Sequence, residues 1–238
     1  MNPVDVARQL VAEEFPEARA AWLGGSVVRG NASPTSDLDI TVLLDGRPAP
    51  MRKSLQYGGW PVELFVHTEK SLAYFSDKDQ QRRQPTMMRL VGESVVLLDT
   101  DGSGARLQAE CLEEVAAGPK PLTTNEVDLL RYTITNLLDD LADASGDERT
   151  AIVSALWQDA ARLLLTGAGH WSGTGKGLLR ELVAYDESRG TTHARALMDG
   201  IRAEDDGLVM EVDHILAAHG GRLFAGFELA ADPDTPAL

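Results

Sequence analysis

The sequence predicts an α+β protein, in which a mixed-sheet domain is followed by an all-helical bundle domain. In the first part of the chain, short apolar runs suited to strands alternate with turns rich in Gly and Pro. From Ala105 onward, apolar residues recur at helical spacing and almost no strand signal remains. A turn-rich segment, Thr100 to Gly104, separates the two patterns. We therefore predict one domain over residues 1–102 and a helical domain over residues 103–238.

The first domain is predicted to open with a helix, Val4 to Phe15, which ends at Pro16. Gly58-Gly59 predicts a hairpin turn between two strands. A charged segment at 77–83 is predicted to be exposed. Further helices of this domain are predicted at 69–75 and 85–91. Its strands are predicted at 18–23, 37–44, 52–57, 60–66 and 93–99.

In the second domain, Thr123 to Glu126 predicts the capped start of a long helix that runs through Leu141. The tail from Ala230 is predicted to be loose. Further helices are predicted at 105–117, 148–165, 178–185, 192–203 and 208–218.

Composition excludes several classes of protein. The formal net charge of the 238 residues is −15, which repels polyanions and argues against extended DNA or RNA as a partner. It would attract a cationic small molecule, although solubility is the more ordinary explanation of an acidic chain. Cys111 is the only cysteine, so no intrachain disulfide can form and a cytoplasmic location is expected. We find no signal peptide or membrane span, and the number of subunits stays open, a homo-oligomer included.

The segment from Leu23 to Leu44 carries the most informative motif, LGGSVVRGNASPTSDLDITVLL. Gly24 and Gly25 allow the backbone to approach a ligand closely, and a helix starting near Ser26 would favour anions. Residues two apart on a strand point the same way, so Asp37 and Asp39 are predicted to stand side by side. Two adjacent carboxylates are costly to desolvate without a cation, and Mg²⁺ prefers oxygen ligands.

Asp-x-Asp alone would favour a simpler interpretation, namely a surface loop followed by a strand with two solvated acids. The whole arrangement is more specific, because Gly25-Ser26, Gly30 and Ser36 precede the two aspartates and an apolar strand follows. Glu63 lies in a second β-rich apolar run, WPVELFVH. It would face solvent on an amphipathic strand, or face the aspartates as a third carboxylate.

This pattern resembles the polymerase-beta-like nucleotidyltransferase superfamily, whose signature is Gly-Ser, a spacer, Asp-x-Asp and a later carboxylate. The catalytic signature covers Leu23 to Val66. A sheet domain followed by helices looks most like the aminoglycoside nucleotidyltransferases, but this likeness is one of layout.

The resemblance implies transfer of a nucleoside monophosphate from ATP or another NTP to an acceptor hydroxyl, with release of pyrophosphate. It implies that Asp37 and Asp39 bind two Mg²⁺ ions, that Glu63 completes the site of one, and that Ser26 and the amides near Gly25 hold phosphates. The predicted nucleotide-binding residues are Gly25, Ser26, Arg29, Ser36 and Lys176.

Two of these predictions have equally simple alternatives. Arg29 contacts phosphate or is merely exposed. Lys176 follows a glycine-rich segment, HWSGTG, which fails the Walker pattern because His170 and Gly177 replace the required residues. It either reaches the triphosphate from a helix start or belongs to a flexible connector.

A hydroxyl is a poor nucleophile at neutral pH, so a carboxylate base is expected from the helical domain. Asp159 is the first choice, because Trp157 beside it could stack on a sugar or base; Asp139 and Asp140 are the others. Taken singly, each acid is more ordinary as part of a solvated helix face.

Three functions follow. The leading hypothesis is a Mg²⁺-dependent enzyme acting on a small hydroxylated acceptor, with a cationic aminoglycoside antibiotic, and hence antibiotic resistance, as one option. The second is an antitoxin-like enzyme that transfers AMP to a protein hydroxyl, against which the long helical half counts. The third is a non-catalytic module that binds a nucleotide or a protein, against which the intact Asp37, Asp39 and Glu63 count.

Overall fold

The computed structural model describes residues 2–30, 35–203 and 206–229, so the predicted tail from Ala230 lies outside the described residues. The chain divides into two compact units, Met1–Gly118 and Pro119–Leu238. Every strand found in the described residues belongs to the first unit, and the second is helical, which confirms the α+β class. Among the described residues, no helix combines the length and the apolar character that a membrane crossing requires.

The first unit is built around one mixed sheet of five strands in the order β3-β4-β2-β1-β5. β2 and β4 run parallel, and the other neighbours are antiparallel. The hairpin predicted at Gly58-Gly59 joins β3 to β4. The strands are β1 (Ala20–Gly24), β2 (Leu38–Leu43), β3 (Met51–Tyr57), β4 (Trp60–His67) and β5 (Val95–Asp99).

One face of the sheet packs on α1 (Pro3–Glu14), which contacts β1, β2 and β5. The Asn2 side chain caps this helix by accepting a hydrogen bond from the Val4 amide at 2.9 Å. Strand alternation turns Leu38, Ile40 and Val42 of β2 toward this face, where all three are fully buried. Asp39 therefore projects from the opposite face.

The opposite face carries α3 (Glu69–Arg82), α4 (Thr86–Gly92) and α5 (Ser103–Ala117). The segment 77–83 was predicted to be exposed, but α3 continues to Arg82 and Asp79 is only 7% exposed. The Asp79 carboxylate accepts hydrogen bonds from the amides of Met87 and Met88, at 2.6 and 3.1 Å. Asp79 thereby caps α4, whose own N-cap residue, Pro85, has no side-chain acceptor.

The division between the units falls after Gly118, later than the domain end predicted at residue 102. The cause is α5, which packs against α4, β1 and β5. The indole of Trp22 in β1 donates a hydrogen bond to the Gly104 carbonyl at 3.3 Å. A helix that shares the core of the sheet belongs with it, even though its sequence pattern matches the helices that follow.

The second unit has a hydrophobic core drawn from its helices, with Ile134, Leu156 and Leu197 fully buried. The predicted cap at Thr123 is confirmed as a capping box with Glu126. The helices are α6 (Thr124–Asp143), α7 (Gly146–Gly167), α8 (Lys176–Arg189), α9 (His193–Ala203) and α10 (Gly207–Ala217).

Candidate active site

A glycine turn leads from β1 into α2 (Gly25–Val28), a single helical turn. Gly24 is paired with Asp39 across the β1–β2 ladder. A Cβ on Gly24 would stand 2.6 Å from the Leu90 carbonyl oxygen. Gly25 has φ +76° and its α-carbon faces the Asp39 carboxylate, so that a Cβ would lie 2.9 Å from Cγ of Asp39. Both positions require glycine, because a side chain would collide with the Leu90 backbone at Gly24 and with the Asp39 carboxylate at Gly25.

Three carboxylates converge beside this turn. Asp37 immediately precedes β2, and Asp39 is its second residue. In the parallel β2–β4 ladder, Asp39 lies opposite Glu63. Asp37, Asp39 and Glu63 each offer one oxygen, all within 4.8 Å of one another, and all three residues are partly buried. The structure thus brings together the three acids that the sequence placed on two separate segments.

The electrostatics of this cluster favour a cation. Burial, together with the negative charges of Asp37 and Glu63, raises the pKa of Asp39 to about 6. Arg29 and Arg52 act in the opposite direction. An all-oxygen donor set with surplus negative charge suits a hard divalent cation such as Mg²⁺. The residues present therefore fit the metal that the sequence motif predicts.

Arg52 was not predicted as a site residue. Its Nη2 donates hydrogen bonds to both carboxylate oxygens of Glu63, at 3.0 and 2.8 Å. The Gly58-Gly59 hairpin could have revealed it, because its register places Arg52 opposite Phe65 on the face that carries Glu63. The next residue, Lys53, points to the other face and pairs with Glu14 of α1 at 3.0 Å.

The predicted phosphate-binding side chains of the first unit lie around the glycine turn. The Ser26 hydroxyl donates to the Ser36 hydroxyl at 3.0 Å, and Ser36 is buried. Arg29 forms an ion pair with Glu93 at 3.4 Å and is partly exposed. Residues 31–34, inside the predicted spacer, lie outside the described part of the chain. The phosphate-binding role of Ser26, Arg29 and Ser36 stays a prediction.

A cavity of about 390 Å³ opens on the same face of the sheet, between α3, the start of α4 and the β3–β4 edge. Phe65, which lies two residues along β4 from Glu63, lines this cavity. Arg52 lines it too, so the guanidinium that contacts Glu63 also borders this space. The other side chains of its wall include His67, Phe75, Asp79, Arg82 and Met87.

The remaining predicted residues belong to the second unit. Asp159 on α7 is partly buried and pairs with Arg162 at 3.0 Å. Burial raises the pKa of Asp159 above its ordinary value. Asp139 and Asp140 on α6 are exposed, and Lys176 is the exposed first residue of α8. Their roles in catalysis or nucleotide binding stay predictions.

One protein-family model matches the part of the chain that contains this site. Residues 4–85 match the model of a family described as "Nucleotidyltransferase domain", and this span includes the glycine turn and all three carboxylates. The match supports nucleotidyl transfer in general and leaves the aminoglycoside-type subgroup undistinguished. The match covers less than half of the chain.

A crystal structure described as a nucleotidyltransferase-like protein from Exiguobacterium sibiricum 255-15 is similar at a TM-score of 0.42 and 13% identity. The alignment covers 90% of this chain and 74% of that chain. A TM-score this low does not establish a common fold. No curated protein matches the chain significantly.

Proposed function

We propose that the protein is a Mg²⁺-dependent nucleotidyltransferase, which transfers a nucleoside monophosphate from an NTP to a hydroxyl of a small acceptor and releases pyrophosphate. ATP is the first candidate donor. The observation that carries the proposal is the convergence of Asp37, Asp39 and Glu63 within 4.8 Å, inside the span that matches the nucleotidyltransferase domain.

In this mechanism Asp37 and Asp39 would hold two Mg²⁺ ions, and Glu63 would complete the site of one of them. When bound, the ions supply Lewis-acid stabilisation of the charge that develops on the entering and leaving oxygens. Ser26 and the amides around Gly25 would hold the β- and γ-phosphates, with Ser36 supporting Ser26 through their hydrogen bond. This arrangement keeps the triphosphate beside the carboxylates and orients it for attack.

Further residues would complete nucleotide binding and proton transfer. Arg29 adds a positive charge near Asp39, and Lys176 would add another from the start of α8. Asp159 would accept the proton of the acceptor hydroxyl. The raised pKa of Asp159 supports this role, because a carboxylate becomes a better base as its pKa approaches neutrality.

The acceptor is proposed to be a small hydroxylated molecule. The net charge of −15 would draw a cationic one toward the protein, which keeps aminoglycoside antibiotics, and a role in resistance to them, among the compounds to test first.

The test is to incubate the protein with Mg²⁺, each of the four NTPs and a panel of aminoglycosides and other polyhydroxylated compounds, and to measure pyrophosphate release. Release that requires an acceptor and is lost in Asp39→Asn supports the proposal. Labelling of the protein itself, or of a partner protein, would favour the protein-modifying alternative. Absence of metal-dependent NTP binding would contradict catalysis and leave the non-catalytic module as the alternative.

A further inference from the structure

The ion pair between Arg52 and Glu63 joins a cation directly to a carboxylate of the candidate metal site. One guanidinium nitrogen contacts both oxygens of Glu63, at 3.0 and 2.8 Å. The Arg52 side chain is 64% exposed, against 27% for Glu63. Its guanidinium carbon also lies 5.1 Å from the centre of the Phe65 ring.

Arg52 contacts both carboxylate oxygens of Glu63. A metal ion that approaches Glu63 therefore meets a positive charge already in place. A divalent cation and a guanidinium that share one carboxylate repel each other. Since Arg52 is exposed and lies on an edge strand, it can withdraw without disturbing buried packing. The guanidinium already lies over the face of Phe65, and it can keep this favourable contact after it leaves Glu63.

We propose that Arg52 is a displaceable counter-ion of Glu63. It neutralises part of the acidic cluster in the metal-free protein, and it leaves Glu63 when a divalent cation binds there. The released guanidinium then borders the adjoining cavity, where its planar donor groups are available to an anion. This inference rests on the proposed metal-binding role of Asp37, Asp39 and Glu63, and Arg52 acts through Glu63 as a positioning residue.

The neighbouring Lys53 provides a matched control. It follows Arg52 on β3, is also exposed, and also forms an ion pair, but with Glu14 on the opposite face of the sheet. Replacing either residue by alanine removes one positive charge from the same strand. Only the Arg52 substitution removes a cation that touches Glu63.

The experiment measures Mn²⁺ affinity by electron paramagnetic resonance of the free ion, using the full chain at low ionic strength. The variants are Arg52→Ala, Arg52→Lys, Lys53→Ala and Asp39→Asn. Arg52→Ala should bind Mn²⁺ about two- to fivefold more tightly than the wild type, as expected for loss of one exposed charge contact. Lys53→Ala should change affinity by less than about 1.5-fold, and Arg52→Lys should restore most of the competition. The gain in Arg52→Ala should shrink as salt is added.

The outcomes separate the two proposals. If Asp39→Asn weakens Mn²⁺ binding but Arg52→Ala does not strengthen it beyond Lys53→Ala, the counter-ion role is wrong and the metal site stands. If Asp39→Asn binds as well as the wild type, the metal site itself is wrong, and this inference falls with it. A crystal soaked in Mn²⁺ gives a direct second measurement. An ion at the three carboxylates with Arg52 beyond 4 Å from both Glu63 oxygens is expected, and an ion with the pair intact overturns the inference.

Discussion

The α-carbon of Gly25 stands directly against the carboxylate of Asp39, leaving no room for a side chain between the glycine turn and the acidic cluster. A Cβ on Gly25 would overlap Oδ2 of Asp39 and lie 2.9 Å from its Cγ. The phosphate-binding turn and the metal-binding carboxylate of the proposed mechanism are therefore in contact, and a displacement of one moves the other.

Gly25→Ala should disrupt the site, and Gly30→Ala should not. Both glycines have positive φ, +76° and +73°, so both substitutions carry a backbone cost of about 1–2 kcal/mol. Only at Gly25 does the added methyl collide with Asp39, whereas no atom of the described residues lies within 4 Å of a Cβ on Gly30. We expect Gly25→Ala to lower transferase activity at least about 100-fold. Activity and thermal unfolding measured on both variants test this, and equal losses of activity would contradict it.

Asp39 should make the metal-free protein less stable as the pH rises. Its pKa is raised to about 6 in the folded chain, against about 3.9 for an unfolded aspartate. The folded state therefore binds more protons between these two values, and stability is lost as pH increases from about 4 to about 6. Asp39→Asn removes this loss of stability. The variant's free energy of unfolding should therefore exceed that of the wild type most at pH 7 and only slightly near pH 4.

Chemical denaturation of both proteins in chelator at several pH values measures this difference. Asp140→Asn, which removes an exposed acid from α6, serves as the control. Added Mg²⁺ should stabilise the wild type and reverse the ranking at pH 7, because a ligand that binds the folded state stabilises it. An advantage of Asp39→Asn that is the same at pH 4 and pH 7 would show that the Asp39 pKa is not raised.

Asp159 is expected to set the acid limb of the pH–rate profile. Asp159→Asn should lower kcat about 10²- to 10³-fold if the residue is the general base. Arg162 pairs with Asp159 at 3.0 Å and lowers its pKa, so Arg162→Ala should raise that pKa further and move the acid limb to higher pH. Asp140→Asn is the matched substitution on an exposed helix face. An Asp159→Asn enzyme with the rate and profile of Asp140→Asn would exclude the role.

Asp79 should contribute to stability through α4. Its carboxylate accepts two backbone hydrogen bonds, from Met87 and Met88, so Asp79→Ala should cost about 1–3 kcal/mol of unfolding free energy by leaving buried donors unsatisfied. Asp77→Ala, on the same helix, removes an acid that accepts a hydrogen bond from the exposed Gln81 side chain, and should cost less than about 0.5 kcal/mol. Urea denaturation compares them, and similar midpoints would show that the Asp79 cap contributes little.

The local chemistry of the site was predictable because it depends on short-range geometry. Alternation along one strand separates Asp39 from Leu38 and Ile40, whatever the rest of the chain does. Helical periodicity likewise identified the second unit, since an apolar stripe is a local property. Glu63 was identified through the family resemblance, because its own strand pattern was equally compatible with a solvent-facing acid.

Tertiary packing decided the rest. β4 inserts between β2 and β3, and only the parallel pairing with β2 places Glu63 opposite Asp39. Packing against the sheet likewise assigns α5 to the first unit. The sequence by itself determined which residues could form a metal site and which segments are helical, because those properties follow from backbone periodicity. It did not determine that β2 pairs with β4 or that α5 packs on the sheet, because these depend on contacts between segments far apart in the chain.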